Sequence, residues 1–108
     1  MRFFDIYIAF VSWGEGGKRR PVLILDENSN GVTVFNITTR YGAKRDKIRE
    51  NYFLINDWQQ AGLDKKSYVD TNKTVTLPLT AIERETPIGR LSAADEQLLL
   101  DFLAKQKS

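Results

Sequence analysis

A chain of 108 residues with 42% hydrophobic and 28% charged side chains suits one globular domain, residues 1–108, and is too apolar for a disordered one. It has no cysteine and no histidine, which excludes disulfides and thiolate chemistry, removes the commonest metal ligand and general base, and leaves an expectation of no metal and no cofactor. Net charge is only +2, but residues 1–50 carry nine Lys/Arg against six Asp/Glu, while residues 51–108 carry seven against eight.

The elements follow in order. Asp5 to Val11 is rich in β-branched and aromatic residues and reads as a strand. Its apolar run, Ile6 to Val11, is too short to span a bilayer, and no secretory pattern precedes it, so no membrane association and a cytoplasmic location are expected. Gly14-Glu15-Gly16-Gly17-Lys18-Arg19-Arg20-Pro21 reads as a flexible basic loop. Pro21 fixes its own φ and pushes Arg20 toward an extended conformation. Val22 to Leu25 is a strand without polar alternation, hence buried on both faces. Asn30-Gly31 is a hairpin signal, and Val32 to Thr38 is the return strand that should pair with Val22 to Leu25.

A second basic segment follows, with Arg40, Lys44, Arg45, Lys47 and Arg49 against Asp46 alone. Two basic loops in one small domain point to a polyanionic partner. Tyr52 to Ile55 reads as a strand, and Asn56 to Gly62 as a capped helical turn. Ser67 to Asp70 and Val75 to Leu79 read as strands separated by a polar turn, with Pro78 at an edge or an end. Ile88 to Leu91 is at most a short strand. Ser92 caps the one long helix, Asp95 sits at the capping-box position, and Leu98, Leu99, Phe102 and Leu103 form an apolar stripe. Many short strands before one terminal helix predict a mainly β, SH3-like barrel.

Asp5-Ile6-Tyr7, the loop Gly14 to Pro21, Val22-Leu23-Ile24-Leu25 and Ile37-Thr38-Thr39 together resemble the MazF/PemK (Kid) family of toxins from type II toxin–antitoxin pairs. Arg20-Pro21 followed by the aliphatic run is the most specific part, and the resemblance is thin between Arg40 and Lys73. It implies an SH3-like barrel that forms a homodimer, is blocked by a cognate antitoxin, and cleaves single-stranded RNA without a metal. The ribose 2′-OH is then the nucleophile, leaving a 2′,3′-cyclic phosphate and a 5′-OH. Phe4 stands where the family often has glycine.

Such a reaction needs charge neutralisation, proton removal and protonation of the departing oxygen. Arg20 offers a planar fork to the phosphate, and Thr38 a hydroxyl from the neighbouring strand. The family also makes this arginine a candidate acid, although arginine releases a proton reluctantly. Some relatives use a histidine or a loop glutamate as base. Glu15 lies one position from that glutamate and is preferred here over water. Lys18, Arg19, Thr39, Arg40 and Lys44 are candidate RNA contacts, and Trp13 could stack a base or pack internally. Two other functions stay open: a catalytically silent relative that binds RNA or an antitoxin, and a gyrase inhibitor of the CcdB type. The latter lacks its C-terminal Trp-Gly-Ile here.

Overall fold

The computed structural model describes residues 1–42, 45–83 and 86–106, with Trp13 described by its backbone alone. Six strands, β1 (Asp5–Trp13), β2 (Gly16–Asn28), β3 (Gly31–Thr38), β4 (Tyr52–Leu54), β5 (Tyr68–Leu77) and β6 (Gly89–Arg90), form one sheet in the order β4-β5-β3-β2-β1-β6. Every neighbouring pair is antiparallel. The sheet curls into a half-barrel. A one-turn helix, α1 (Asp46–Arg49), follows β3, and α2 (Ala93–Gln106) ends the described chain. The mainly β architecture with a C-terminal helix is the one expected from the sequence.

Alternation along the strands divides the buried residues between the two faces. Ile6, Leu23, Phe35, Ile37, Phe53 and Val69 pack with Leu99 of α2, while Tyr7, Ala9, Val22, Ile24, Val32 and Val34 form a second cluster. On α2, Leu99 is fully buried and Phe102 and Leu103 pack against the core, but Leu98 is 47% exposed. The apolar stripe expected from the sequence is therefore narrower by one residue.

Two local expectations change. The segment Gly14 to Pro21 is not a long loop: Gly14 and Glu15 alone form the turn, and Gly16 to Pro21 continue β2, paired residue by residue with Trp13 back to Ile8. Pairing with β1 satisfies the backbone and overrides the weak strand preference of glycine. Gly17 also has a packing reason, because a Cβ there would meet the Phe10 ring at 2.7 Å from Cε1. Likewise, the two strands expected at Ser67–Asp70 and Val75–Leu79 are one. β5 pairs with β3 at Val34↔Val75 and again at Asn36↔Asp70, so residues 71–74 bulge opposite Phe35. The bulge is tied down where Thr71 donates both its N–H (2.9 Å) and its hydroxyl (2.7 Å) to the Asn51 carbonyl.

At the start of α2 the Ser92 hydroxyl accepts the Asp95 N–H (3.1 Å), as a cap should, and donates to Asp57 Oδ2 (2.6 Å). Asp95 does not close a capping box. Its carboxylate is fully buried and accepts the Asn56 N–H (3.2 Å), the Asn56 side-chain amide (3.1 Å) and the Asp57 N–H (2.8 Å). Three donors compensate the burial of that charge and pin the helix to the turn after β4.

Candidate active site

Pro21 decides where the sheet opens. It has no N–H to donate, and the β2–β3 ladder ends one residue away at Val22↔Asn36. Continued in the same register, the ladder would set Arg20 opposite Thr38. Both residues instead line a cavity of about 410 Å³ in which the walls are Lys18 to Pro21, Ile37 to Arg40, Tyr52, Ser67 and Asp70. Four cations, Lys18, Arg19, Arg20 and Arg40, thus share this cavity with one carboxylate. A concave site of this charge suits a phosphodiester.

Each polar group is held by its local structure. The Thr38 hydroxyl oxygen accepts the N–H of Arg40 (3.1 Å), which turns the chain at the end of β3 and fixes the Thr38 rotamer. An oxygen engaged as acceptor still has its own O–H to donate. On β5, Asp70 Oδ1 accepts both the backbone N–H (2.9 Å) and the side-chain amide (2.8 Å) of Asn72. Both bonds fall on one oxygen, Oδ1. Asn72 also donates to the Ile48 carbonyl of α1 (3.1 Å), which links the carboxylate to the basic segment.

Tyr52 is paired with Asp70 across β4 and β5 and is only 7% exposed. Its phenol pKa is raised above the ordinary value, by burial first and then by the Asp70 carboxylate, while the Arg20 guanidinium pulls it the other way. The hydroxyl is therefore protonated at neutral pH and lies within the electrostatic reach of both groups. Two more tyrosines surround it: Tyr41 stacks on Tyr68 with centroids 4.5 Å apart, and Tyr52 lies 6.2 Å and 6.4 Å from them. The Arg49 guanidinium sits 5.4 Å from the Tyr41 centroid. This cluster fastens the chain beyond Thr38 against the sheet.

The structure brings Arg20, Thr38, Thr39, Arg40, Lys18 and Arg19 to the same cavity, although the Arg19 guanidinium is engaged by Glu83 at 2.5 Å and 2.7 Å. It does not bring Glu15 there. Glu15 occupies the β1–β2 turn, five residues along β2 from Arg20, about 16 Å at the rise of a strand. Lys44 and the Trp13 side chain lie outside the described residues. Tyr52 and Asp70 were missed because each sits in a strand that reads as core. The signal was available: Phe53 and Val69 face inward, so period-two alternation sends Tyr52 and Asp70 to the other face, with Thr38. Among the described residues no three acidic side chains gather closely enough to hold a metal ion.

No family model matches the chain, and no curated protein sequence matches it. Its structure does match one from Mycobacterium tuberculosis, the toxin MazF-mt6, with a TM-score of 0.71 and 29% sequence identity over 94% of this chain and 93% of that one.

Proposed function

We propose that this MazF-like chain, similar to a MazF toxin in both fold and sequence over almost its whole length, is itself the toxin of a type II toxin–antitoxin pair. Its activity is endonucleolytic cleavage of single-stranded RNA, with the ribose 2′-OH as nucleophile and no metal ion required. The single observation that carries this reading is the end of the β2–β3 ladder at Val22↔Asn36, beyond which Arg20, Thr38 and Asp70 line one basic cavity.

The chemistry follows from the positions. Arg20 binds the non-bridging oxygens of the scissile phosphate through its planar fork, and the Thr38 O–H donates to the same group. Negative charge grows on those oxygens as the 2′-oxygen attacks, so donors fixed by strand ends stabilise the transition state more than the ground state. The Asp70 carboxylate accepts the 2′-OH proton. The role that the sequence assigned to Glu15 passes to Asp70, because a base must lie within hydrogen-bond reach of the proton it takes. Lys18 and Arg40 bind neighbouring phosphates, with Thr39 beside them.

The partners are single-stranded RNA, a second copy of the chain and a cognate antitoxin. Phe10 on β1 and Leu98 and Leu100 on α2 are 46–48% exposed and supply apolar surface for the two protein partners. Incubating the purified protein with single-stranded RNA in EDTA, beside the Arg20→Ala variant, tests the activity. Cleavage to 5′-OH fragments that Arg20→Ala fails to make supports it. Salt-dependent binding without cleavage identifies a silent binder instead.

A further inference from the structure

The reading above leaves one proton unassigned, the one that the 5′-oxygen needs as it departs. Arginine is a poor donor, since its guanidinium stays charged throughout the physiological range. The described cavity walls contain one neutral, acidic O–H on an aromatic ring, that of Tyr52, beside Asp70 in the β4–β5 pair and lining the same cavity as Arg20.

We propose that the Tyr52 hydroxyl is the general acid of the reaction and that Asp70 returns the proton to it. This rests on the nuclease reading of the site. The 2′-oxygen attacks phosphorus while the Asp70 carboxylate takes its proton. The bond from phosphorus to the 5′-oxygen breaks, and the Tyr52 O–H protonates that oxygen, leaving a phenolate and a neutral Asp70. The neutral carboxylic acid then passes its proton to the phenolate. Net proton change is zero, as required for isomerising an internal phosphodiester to a cyclic phosphate and a free hydroxyl.

Three features fit this role. The ring is held by burial and by Tyr41 and Tyr68, so the hydroxyl has a fixed direction. Arg20 stabilises the phenolate that forms in the step, and its attraction opposes the raising effect of burial and Asp70 on the phenol. Asp70 is the cross-strand partner of Tyr52, so the return transfer needs no movement of the backbone. The pair is reset after each turnover without a histidine, which this chain lacks altogether.

The test compares ordinary RNA with RNA carrying sulfur in place of the 5′-oxygen at the scissile bond. A thiolate leaves without protonation, so a missing acid no longer matters. Tyr52→Phe keeps the ring and should lose roughly 10²–10³-fold in kcat on ordinary RNA with KM little changed. On the sulfur substrate it should come within a few-fold of the wild type, whereas Asp70→Asn should stay impaired on both. Equal impairment of Tyr52→Phe on both substrates, or none on either, overturns the acid role while leaving the nuclease reading intact. A wild type that cleaves neither substrate ends both. Should Tyr52→Phe melt far below the wild type, a fluorotyrosine at position 52, with a more acidic phenol, replaces it. The alkaline limb of the rate profile must then move to lower pH, and an unmoved limb overturns the proposal.

Discussion

Arg20 and Thr38 are register partners that do not pair: the β2–β3 ladder stops at Val22↔Asn36, and the strands part with these two side chains on the walls of the cavity between them. A phosphate bound there is gripped from two elements of the same hairpin. Removing either donor should therefore damage catalysis without unfolding the sheet. We expect Arg20→Ala to lower kcat/KM by roughly 10²–10³-fold. Arg20→Lys should recover only part of it, because an ammonium cannot reproduce the planar fork. Thr38→Ser should retain activity that Thr38→Val loses. Steady-state cleavage of a labelled oligonucleotide measures all four.

The cations of the cavity wall give a separate expectation for binding. Each phosphate neutralised releases counterions, so affinity for single-stranded RNA should fall linearly in log–log plots against salt, with a slope near −0.7 per contact. Lys18→Ala and Arg40→Ala should each make that slope shallower by about 0.7. Arg19→Ala should change it less, since the guanidinium already pairs with Glu83. Fluorescence anisotropy across a salt series reads each slope.

Two buried phenols give the stability an alkaline dependence. Burial is the main cause that raises both Tyr7 and Tyr52 above the ordinary value of 10.0, with nearby carboxylates adding to it. A raised acid binds its proton more tightly in the folded state than in the unfolded one. Its contribution is then fully present below pH 10 and is lost as pH rises through the folded-state value. Denaturant unfolding should show stability constant from pH 8 to about 9.5 and falling above 10. In the Tyr7→Phe and Tyr52→Phe variants that fall should be smaller.

Phe4 supplies a test of the backbone. It has a φ of 71°, the left-handed region that glycine prefers, and its side chain is only 4% exposed in the core against α2. Losing the ring should cost about 3–5 kcal/mol in Phe4→Ala. Phe4→Gly loses the same contacts but relieves about 1–2 kcal/mol of backbone strain. The glycine variant should therefore be the more stable of the two, reversing the usual order, and equilibrium unfolding in urea can rank them.

Particular residues show what the sequence could reveal. Asn30-Gly31 marked the β2–β3 hairpin, whose turn is Ser29-Asn30, with Gly31 opening β3 opposite Asn28 at a φ of 143° against the Leu77 carbonyl. That hairpin alone set Arg20 and Thr38 at the same end. Phe4, where the resembling family often has glycine, suggested only local repacking, and its φ of 71° emerged from the structure. Strand ends were harder, since Gly16 to Arg20 become strand only because β1 lies alongside. Asp70 escaped notice for a related reason. Alternation gives its face, but its alignment with Asn36 depends on the bulge at residues 71–74, which is fixed by hydrogen bonds to Asn51, 20 residues away for the Thr71 hydroxyl, and which no local pattern encodes. The candidate base moved accordingly from the hairpin tip to the sheet.

Replacing the ribose at the cleaved position with 2′-deoxyribose, in an otherwise unchanged RNA that the protein cuts, tests the central claim most directly. The substituted RNA should bind with nearly the same affinity and resist cleavage at that bond, while the unsubstituted RNA yields a 2′,3′-cyclic phosphate end. Cleavage of the deoxy-substituted bond would contradict internal attack and the roles drawn for Arg20, Thr38 and Asp70.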